Sequence, residues 1–357
     1  REPNEHSYAH GVTDSTIDFD HGDNQLQIDM AVNAYNAIRG IGDTAVSAGD
    51  GDDRIAINIW NQRFTEHGKS IGIENSTINL GDGRNGIIVI NEESNNTAPA
   101  IGIQNTNITG GAGKDLMSIA TTFKGIESSS INLSSGNDEI VITASTYALK
   151  DSTIDMGAGS DVISIDANSD TGIAVLDSDI YMGEDNDVAK IARSRAMIDF
   201  GAGEDYLDLY DTLRDDAIIA VTEEGNLTIT SESDQIFIIK TKDLEYLKFA
   251  NETSFEQLAL GKSLNVSIES PTINGKFKPG TTVKIDIPTM EDRVWRHNIE
   301  YSWEASNDYG STWNALSEAD AIDGDDTYTI TSAEVGKQLR GVVSYLDGYG
   351  TTETVLS

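Results

Sequence analysis

The sequence has no cysteine among its 357 residues, so neither disulfides nor thiolate metal sites can stabilise the fold. Basic residues are also scarce, with 24 Lys and Arg against 60 Asp and Glu, which gives a formal net charge of −36. Such a chain repels nucleic acid phosphates and anionic membrane surfaces. No apolar run approaches the roughly 20 residues of a membrane-spanning helix. We therefore expect no nucleic acid partner and no membrane insertion, and the expected partners are cations.

What the sequence does contain is a repeat, seen most clearly in DSTIDMGAGSDVISIDA (151–167). Eight copies align when an apolar residue is taken as the anchor position and the residue seven places later as the ladder position. The anchor positions are Ile17, Val46, Ile78, Ile108, Ile131, Ile154, Ile180 and Ile198. The ladder positions are Asn24, Asp53, Asn85, Asp115, Asp138, Asp161, Asp187 and Asp205.

The hydrophobic pattern of each copy predicts short strands. Apolar or small residues stand two and four places after every ladder position, which is the period of a strand with one buried face. Seven of the eight copies also have an apolar residue five places before the anchor position, and Arg193 is the exception. We therefore predict an all-β fold in which about eight coils stack into a parallel β-helix, with about 4.8 Å between equivalent strands.

Glycine stands two places before the ladder position in seven of the eight copies. Glycine there permits a positive φ and a tight turn whose carbonyl groups point toward one spot. Stacked aspartates about 5 Å apart would repel by roughly 3 kcal/mol per pair at an effective dielectric of 20. A hard divalent cation between coils would relieve that repulsion, and carboxylate and carbonyl oxygens are the ligands that calcium prefers. The alternative is that each loop is merely a turn in which Asp caps backbone amides.

The loops GDGDDRIAI (49–57), GGAGKDLMSI (110–119), GAGSDVISI (157–165) and GAGEDYLDL (201–209) resemble the glycine- and aspartate-rich nonapeptide of RTX proteins. In that family calcium lies between loops of successive coils. The resemblance implies calcium as the cofactor. It also implies that the metal ligands are Asp53, Asp115, Asp138, Asp161, Asp187 and Asp205. In RTX rolls every turn carries two nonapeptides, whereas here one loop occurs per coil, so we expect metal along one edge only.

A second row carries hydroxyl groups two residues before the anchor position, from Ser15 to Ser178, in seven of the eight copies. We interpret these Ser and Thr residues as turn formers that stack in hydrogen-bonded rows. A flat ladder that binds ice or sugar is the alternative.

Beyond the repeat, residues 212–262 are expected to cap the solenoid with successive strands. The segment SFEQLALG (254–261) predicts a short helix with a Ser254 and Gln257 capping box. Glu245, Leu247, Phe249 and Ala250 resemble the segment that closes many RTX arrays.

Residues 263–357 show the alternation of short strands with Gly-bearing turns that is typical of a β-sandwich. The amino-acid sequence of this region is similar to that of the Ig-like repeats of large bacterial surface proteins. Trp303 and Tyr328 are expected in its core.

The expected domains are therefore a calcium-binding β-helix (1–211), a cap (212–262) and an Ig-like β-sandwich (263–357). The function expected from them is that of a calcium-stabilised structural or adhesive segment of a bacterial surface or secreted protein, located outside the cell. Its partners would be calcium ions and a cell-surface glycan or neighbouring protein subunits.

Two other functions remain open, a self-assembling filament or surface-layer subunit and a polysaccharide lyase or epimerase. For the enzyme, only the insertion with Trp60, Arg63, His67 and Lys69 concentrates candidate groups. We assign no catalytic residue.

Overall fold

The fold is described from a computed structural model. It describes residues 8–32, 37–61, 69–93, 99–169, 171–213, 216–221, 226–231, 233–234, 236–257, 270–286, 297–316, 326–346 and 352–357. These residues are almost entirely strands and turns, and no α-helix occurs among them. The chain divides into two compact units, Arg1–Ala217 with Asn226–Leu258 and Ile218–Gly225 with Ala259–Ser357.

In the first unit, most copies of the repeat form three strands, numbered here in chain order. Upstream strands precede the anchor position: β1 (Tyr8–Thr13), β4 (Ala37–Gly42), β7 (Lys69–Glu74), β10 (Ala100–Gln104), β13 (Lys124–Glu127), β16 (Tyr147–Lys150) and the first half of β19 (Ile173–Tyr181). Anchor strands contain it: β2 (Thr16–Asp18), β5 (Ala45–Ser47), β8 (Thr77–Asn79), β11 (Asn107–Thr109), β14 (Ser130–Asn132), β17 (Thr153–Asp155), the second half of β19, and β21 (Arg195–Asp199).

The third strand of each coil follows the ladder position, and together these strands form the ladder sheet. Its members are β3 (Gln25–Val32), β6 (Arg54–Asn61), β9 (Gly86–Glu93), β12 (Leu116–Thr121), β15 (Glu139–Ala144), β18 (Val162–Ala167), β20 (Val188–Ile191), β22 (Tyr206–Leu209), β26 (Tyr246–Phe249) and β27 (Glu256–Gln257).

Successive coils pair in parallel and in the register that the repeat predicts. In the anchor strands Ile131 pairs with Ile154, and Ile154 pairs with Ile180. In the ladder sheet the residues two places after the ladder position pair in the same way, as Ile140 does with Ile163. The prediction of long parallel sheets built from a repeat is therefore confirmed, and the arrangement is consistent with a parallel β-helix.

The apolar rows of the repeat form the core of this unit. The anchor residues from Val46 to Ile198 are all at most 3% exposed, and Ile55, Ile57, Ile163 and Ile165 of the ladder sheet are at most 1% exposed. Stacking identical branched side chains every 4.8 Å or so removes nearly all their surface from water.

Parallel stacking continues past residue 211. Strand β25 (Ile238–Lys242) pairs in parallel with β21, and β26 pairs in parallel with β22, so that they form a ninth layer. Antiparallel strands then pair with their edges, β24 (Leu227–Ser231) with β25 and β27 with β26. Strand β23 (Ala217–Val221) precedes β24.

The expected helix over 254–261 is wrong where the structure describes it. Glu256 and Gln257 form β27, and Phe255 packs edge-on against Tyr206 with 5.1 Å between ring centroids. The open edge of β26 offers backbone partners that a single helical turn cannot match. Residues 258–261 lie outside the described residues.

The second unit contains two antiparallel sheets. One is formed by β28 (Thr272–Gly275), β29 (Thr282–Asp286) and β32 (Thr327–Thr329). The other is formed by β30 (His297–Ser306), β31 (Asn314–Ala315), β33 (Gln338–Leu346) and β34 (Thr352–Leu356), and a 3-10 helix spans Ser332–Glu334. Trp303 and Tyr328 are 1% and 2% exposed and lie in one core cluster with Val283 and Val343, which confirms both as core residues.

Candidate metal centre

The ladder residues form one continuous buried column in the first unit. Each lies in the loop before a strand of the ladder sheet, so the parallel register stacks each one on the next. Asp161, Asp187 and Asp205 are 0% exposed, Asp115 and Asp138 are 1% exposed, and Asp53 is 3% exposed. The structure thus brings all six predicted site residues into a single row.

One oxygen of each ladder carboxylate is hydrogen-bonded to the preceding coil. The backbone N–H of Asp138 donates to Oδ1 of Asp161 at 2.7 Å, and the N–H of Asp161 donates to Oδ1 of Asp187 at 2.8 Å. The same bond recurs at every step from Asn24 to Asp205, with lengths of 2.7 to 3.0 Å. The Oδ1 atom of each ladder carboxylate therefore caps a backbone amide, as the turn interpretation predicts.

The second oxygen is different, because it is buried and has no hydrogen-bond partner. This holds for Oδ2 of all six predicted ligands, Asp53, Asp115, Asp138, Asp161, Asp187 and Asp205. A methyl group built on Gly110 would lie 2.3 Å from Oδ2 of Asp115, which shows that this oxygen faces its own loop. A buried charged oxygen without a partner is costly, so each of these atoms requires a proton or a cation.

The two asparagines of the ladder show what this position accepts. Oδ1 of Asn85 takes the N–H of Asp53 at 2.9 Å, as an aspartate would, while its Nδ2 donates to the carbonyl of Gly81 at 3.1 Å. Nδ2 of Asn24 likewise donates to a carbonyl of its own loop, that of Gly22. Asn and Asp have the same shape, so the unpaired Oδ2 atoms of the aspartates occupy the position that the Nδ2 donors occupy in Asn24 and Asn85.

The electrostatics of the row follow from this burial. The pKa of Asp161 is raised to about 8, chiefly by burial and also by the nearby carboxylates of Asp138, Asp187 and Asp185, while the N–H bond from Asp138 lowers it. Burial likewise raises the pKa of other ladder residues, to about 6 for Asp115 and Asp138 and to about 7 for Asp187 and Asp205.

The loops themselves pair from coil to coil, which the sequence did not predict. The N–H of Gly136 donates to the carbonyl of Ala158 at 2.8 Å, and Ala112, Ser135, Ala158 and Glu184 form successive parallel bridges. The carbonyl groups of these middle loop residues are therefore engaged between coils, whereas those of Gly22 and Gly81 face the ladder side chains of their own loops.

The predicted positive φ of the loop glycines is confirmed at Gly159, where φ is 126°. A methyl group at Gly159 would lie 1.5 Å from the carbonyl oxygen of Gly136. The position thus requires glycine for its conformation and for the close approach of the neighbouring coil.

The unpaired atoms of the ladder aspartates are all oxygens, which is the donor type that a hard cation prefers. Within the described ranges no three His, Cys, Asp or Glu side chains come together as a metal cluster. An ion at this row would therefore be held by single carboxylate oxygens of successive ladder residues together with backbone oxygens. That combination of oxygen ligands is the type that calcium binds.

Glu245 lies at the end of the row, where the repeat pattern does not predict it. Its Oε2 accepts the backbone N–H of Asp205 at 2.9 Å, so Glu245 occupies the ladder position of the ninth layer. No Gly-x-Gly loop precedes it, and the repeat pattern therefore did not include it.

The hydroxyl row is buried from Thr44 to Ser178, and only Ser15 of the first coil is exposed. Oγ of Ser129 donates to the carbonyl of Glu127 at 2.9 Å and accepts the backbone N–H of Thr106 at 3.2 Å. The residue before it, Ser128, has a φ of 51°. Ser129 is 7% exposed, so its hydroxyl serves the turn and is closed to ice or sugar.

Of the candidate groups in the 60–70 insertion, the structure describes Trp60 and Lys69. Trp60 lies on the outer face of the ladder sheet, and Nζ of Lys69 pairs with Oε1 of Glu74 at 3.0 Å. Arg63 and His67 lie outside the described residues.

No protein-family model matches this sequence. No curated protein matches it significantly either. In the part of the chain that the structure describes, no helix is long and apolar enough to cross a membrane.

Proposed function

We propose that this chain is a calcium-stabilised structural or adhesive segment of a bacterial surface or secreted protein. In this proposal the first unit is a parallel β-helix closed by a cap that includes β24 and β27, and the second unit is an Ig-like sandwich. Calcium would be held by the row of Asp53, Asp115, Asp138, Asp161, Asp187 and Asp205. Its contribution would be positive charge that neutralises the row.

The observation that carries the proposal is the set of six buried, unpartnered Oδ2 atoms at one register position. Protons alone would not neutralise the whole row at neutral pH, because the pKa values of Asp115 and Asp138, about 6, leave those two residues ionised, whereas Asp161, with a pKa of about 8, stays mostly protonated. Calcium can neutralise it at neutral pH without protonation. A cation that binds only the folded state adds its binding free energy to folding, about 2.7 kcal/mol per site at one hundred times its Kd.

The net charge of −36 supports an extracellular location. A chain with this self-repulsion would remain unfolded where calcium is scarce and compact where calcium is abundant. Export in the unfolded state and folding outside the cell would follow.

The test is a calcium titration of the exhaustively chelated protein, followed by circular dichroism and thermal unfolding, with magnesium as the control ion. We expect β structure and the unfolding midpoint to increase with calcium and to respond weakly to magnesium, which keeps its own water ligands. Equal order and stability of the chelated protein at neutral pH would contradict the proposal.

A further inference from the structure

The outer face of the ladder sheet carries one exposed tryptophan. Trp60 is 58% exposed, whereas Trp303 is 1% exposed and the guanidinium of Arg340 lies 4.3 Å from the ring centre of Trp313. In-register neighbours of Trp60 are Ala31 and Glu92, and the small side chain of Ala31 leaves the indole uncovered on that side. Tryptophan is enriched at binding surfaces because its ring offers a large apolar face and an N–H donor.

Exposed amides and a carboxylate lie beside the indole on the same face. Asn58 is two residues before Trp60 in β6, and it pairs in register with Asp29 of β3. Nδ2 of Asn58 and Nε2 of Gln27 both donate to Oδ1 of Asp29 at 2.7 Å. The bonds from Asn58 and Gln27 lower the pKa of Asp29 and keep it an acceptor. These groups fix one another in place and present donors and acceptors in the plane of the sheet.

The charge of this surface decides between classes of partner. Asp29 and Glu92 flank the indole, and the whole chain carries −36. An acidic rim repels nucleic acid, anionic membranes, uronate polymers and a second copy of the same surface. It accepts hydrogen bonds from the hydroxyl groups of an uncharged ligand, while the indole accepts the apolar face of a sugar ring.

We propose that Trp60, with Gln27, Asp29, Asn58 and Glu92, forms a binding surface for a neutral polysaccharide. The sugar ring stacks on the indole, and its hydroxyl groups bond to the amides and carboxylates. This inference rests on the proposed adhesive function and specifies the class of its ligand.

The test uses the full chain in calcium and measures its retardation in native gels that contain hydroxyethyl cellulose, mannan or alginate. We expect binding to at least one of the two neutral polymers and none to alginate. Trp60→Ala should weaken that binding at least tenfold, about 1.4 kcal/mol. Tyr181→Ala is the matched control, because Tyr181 is 37% exposed on β19, away from this surface, and should leave binding unchanged.

Three results would overturn the inference: no binding to either neutral polymer, equal binding by Trp60→Ala, or stronger binding to alginate. Loss of self-association in Trp60→Ala, without any polysaccharide binding, would instead assign the surface to a second copy. The thermal unfolding midpoint of each variant in calcium separates a binding defect from a folding defect. The two proposals can fail separately. If polysaccharide binding depends on Trp60 but folding does not depend on calcium, the binding surface is supported and the calcium proposal is rejected.

Discussion

At the scale of single residues, the ladder position combines two roles in one side chain. Oδ1 of Asp161 holds the neighbouring coil through a backbone N–H, and Oδ2 is left to be neutralised. Asn85 performs the first role and satisfies its second atom with a loop carbonyl. The spacing of Gly and Asp in the sequence predicted the row and its members. It could not predict that one oxygen accepts a backbone N–H while the other stays unpaired, because that difference depends on how the coils stack.

The loop glycine gives a prediction at this scale. Gly159→Ala should lower the free energy of unfolding by about 2–5 kcal/mol, because the methyl group meets the carbonyl of Gly136 and the φ is unfavourable for alanine. Gly22→Ala is the matched control, since Gly22 has a φ of 110° and a methyl group there would meet nothing within 4 Å. Urea unfolding in calcium measures both, and equal losses would show that stacking contributes nothing.

At the scale of elements, the apolar rows predicted most of the strands of the first unit. The sequence also contains a second glycine row, six residues before the anchor position, at Gly11, Gly40, Gly72, Gly102 and Gly125. A methyl group at Gly72 would lie 2.4 Å from the side chain of Val89, so this row lets the upstream strands approach the ladder sheet. The prediction of a short helix over 254–261 was wrong because a capping box is a local pattern. The open edge of β26, which pairs with β27, results from the stacking of all the coils.

Arg193, the exception in the upstream apolar row, joins elements that are distant in sequence. Its guanidinium pairs with Asp234, between β24 and β25, and donates to the carbonyls of Thr171 and Gly172 at 3.3 Å. Arg193→Ala should therefore lower the free energy of unfolding by about 1–3 kcal/mol.

Arg195→Ala is the matched control for that substitution. Arg195 pairs with Asp177 in a more exposed setting, and its loss should cost less than about 1 kcal/mol. Chemical unfolding of the two variants in calcium measures the difference. Equal losses in the free energy of unfolding would show that Arg193 does not stabilise the contact between these distant elements.

At the scale of the whole molecule, the excess of 36 negative charges sets how stability depends on pH and calcium. In the chelated protein the pKa values of Asp115, Asp138, Asp161, Asp187 and Asp205, about 6 to 8, lie above the value of 3.8 expected in the unfolded chain. Stability from such groups is complete below about pH 4 and is lost as pH rises through the folded pKa values.

Without calcium, the unfolding midpoint should therefore fall as pH rises from 5 to 8. Each ladder residue that stays protonated contributes a slope of about 1.4 kcal/mol per pH unit. Saturating calcium should largely remove this fall, because the ion replaces the protons. Thermal unfolding from pH 5 to 8, once with chelator and once with calcium, measures the unfolding midpoint as a function of pH. A chelated protein that becomes more stable toward pH 8 would contradict this prediction.

In the proposed function, the second oxygen of each ladder carboxylate is a calcium ligand. The most direct measurement compares the unfolding free energy of wild type and Asp161→Asn at pH 7.5, with chelator and with calcium. Asp179→Asn, an exposed site on β19, controls for the change in charge.

We predict that Asp161→Asn is more stable than wild type in chelator, since the amide can donate as Asn85 does, and gains less from calcium. Equal destabilisation of Asp161→Asn in both conditions would contradict this, and Asp161 would then be only a cap for its neighbouring coil.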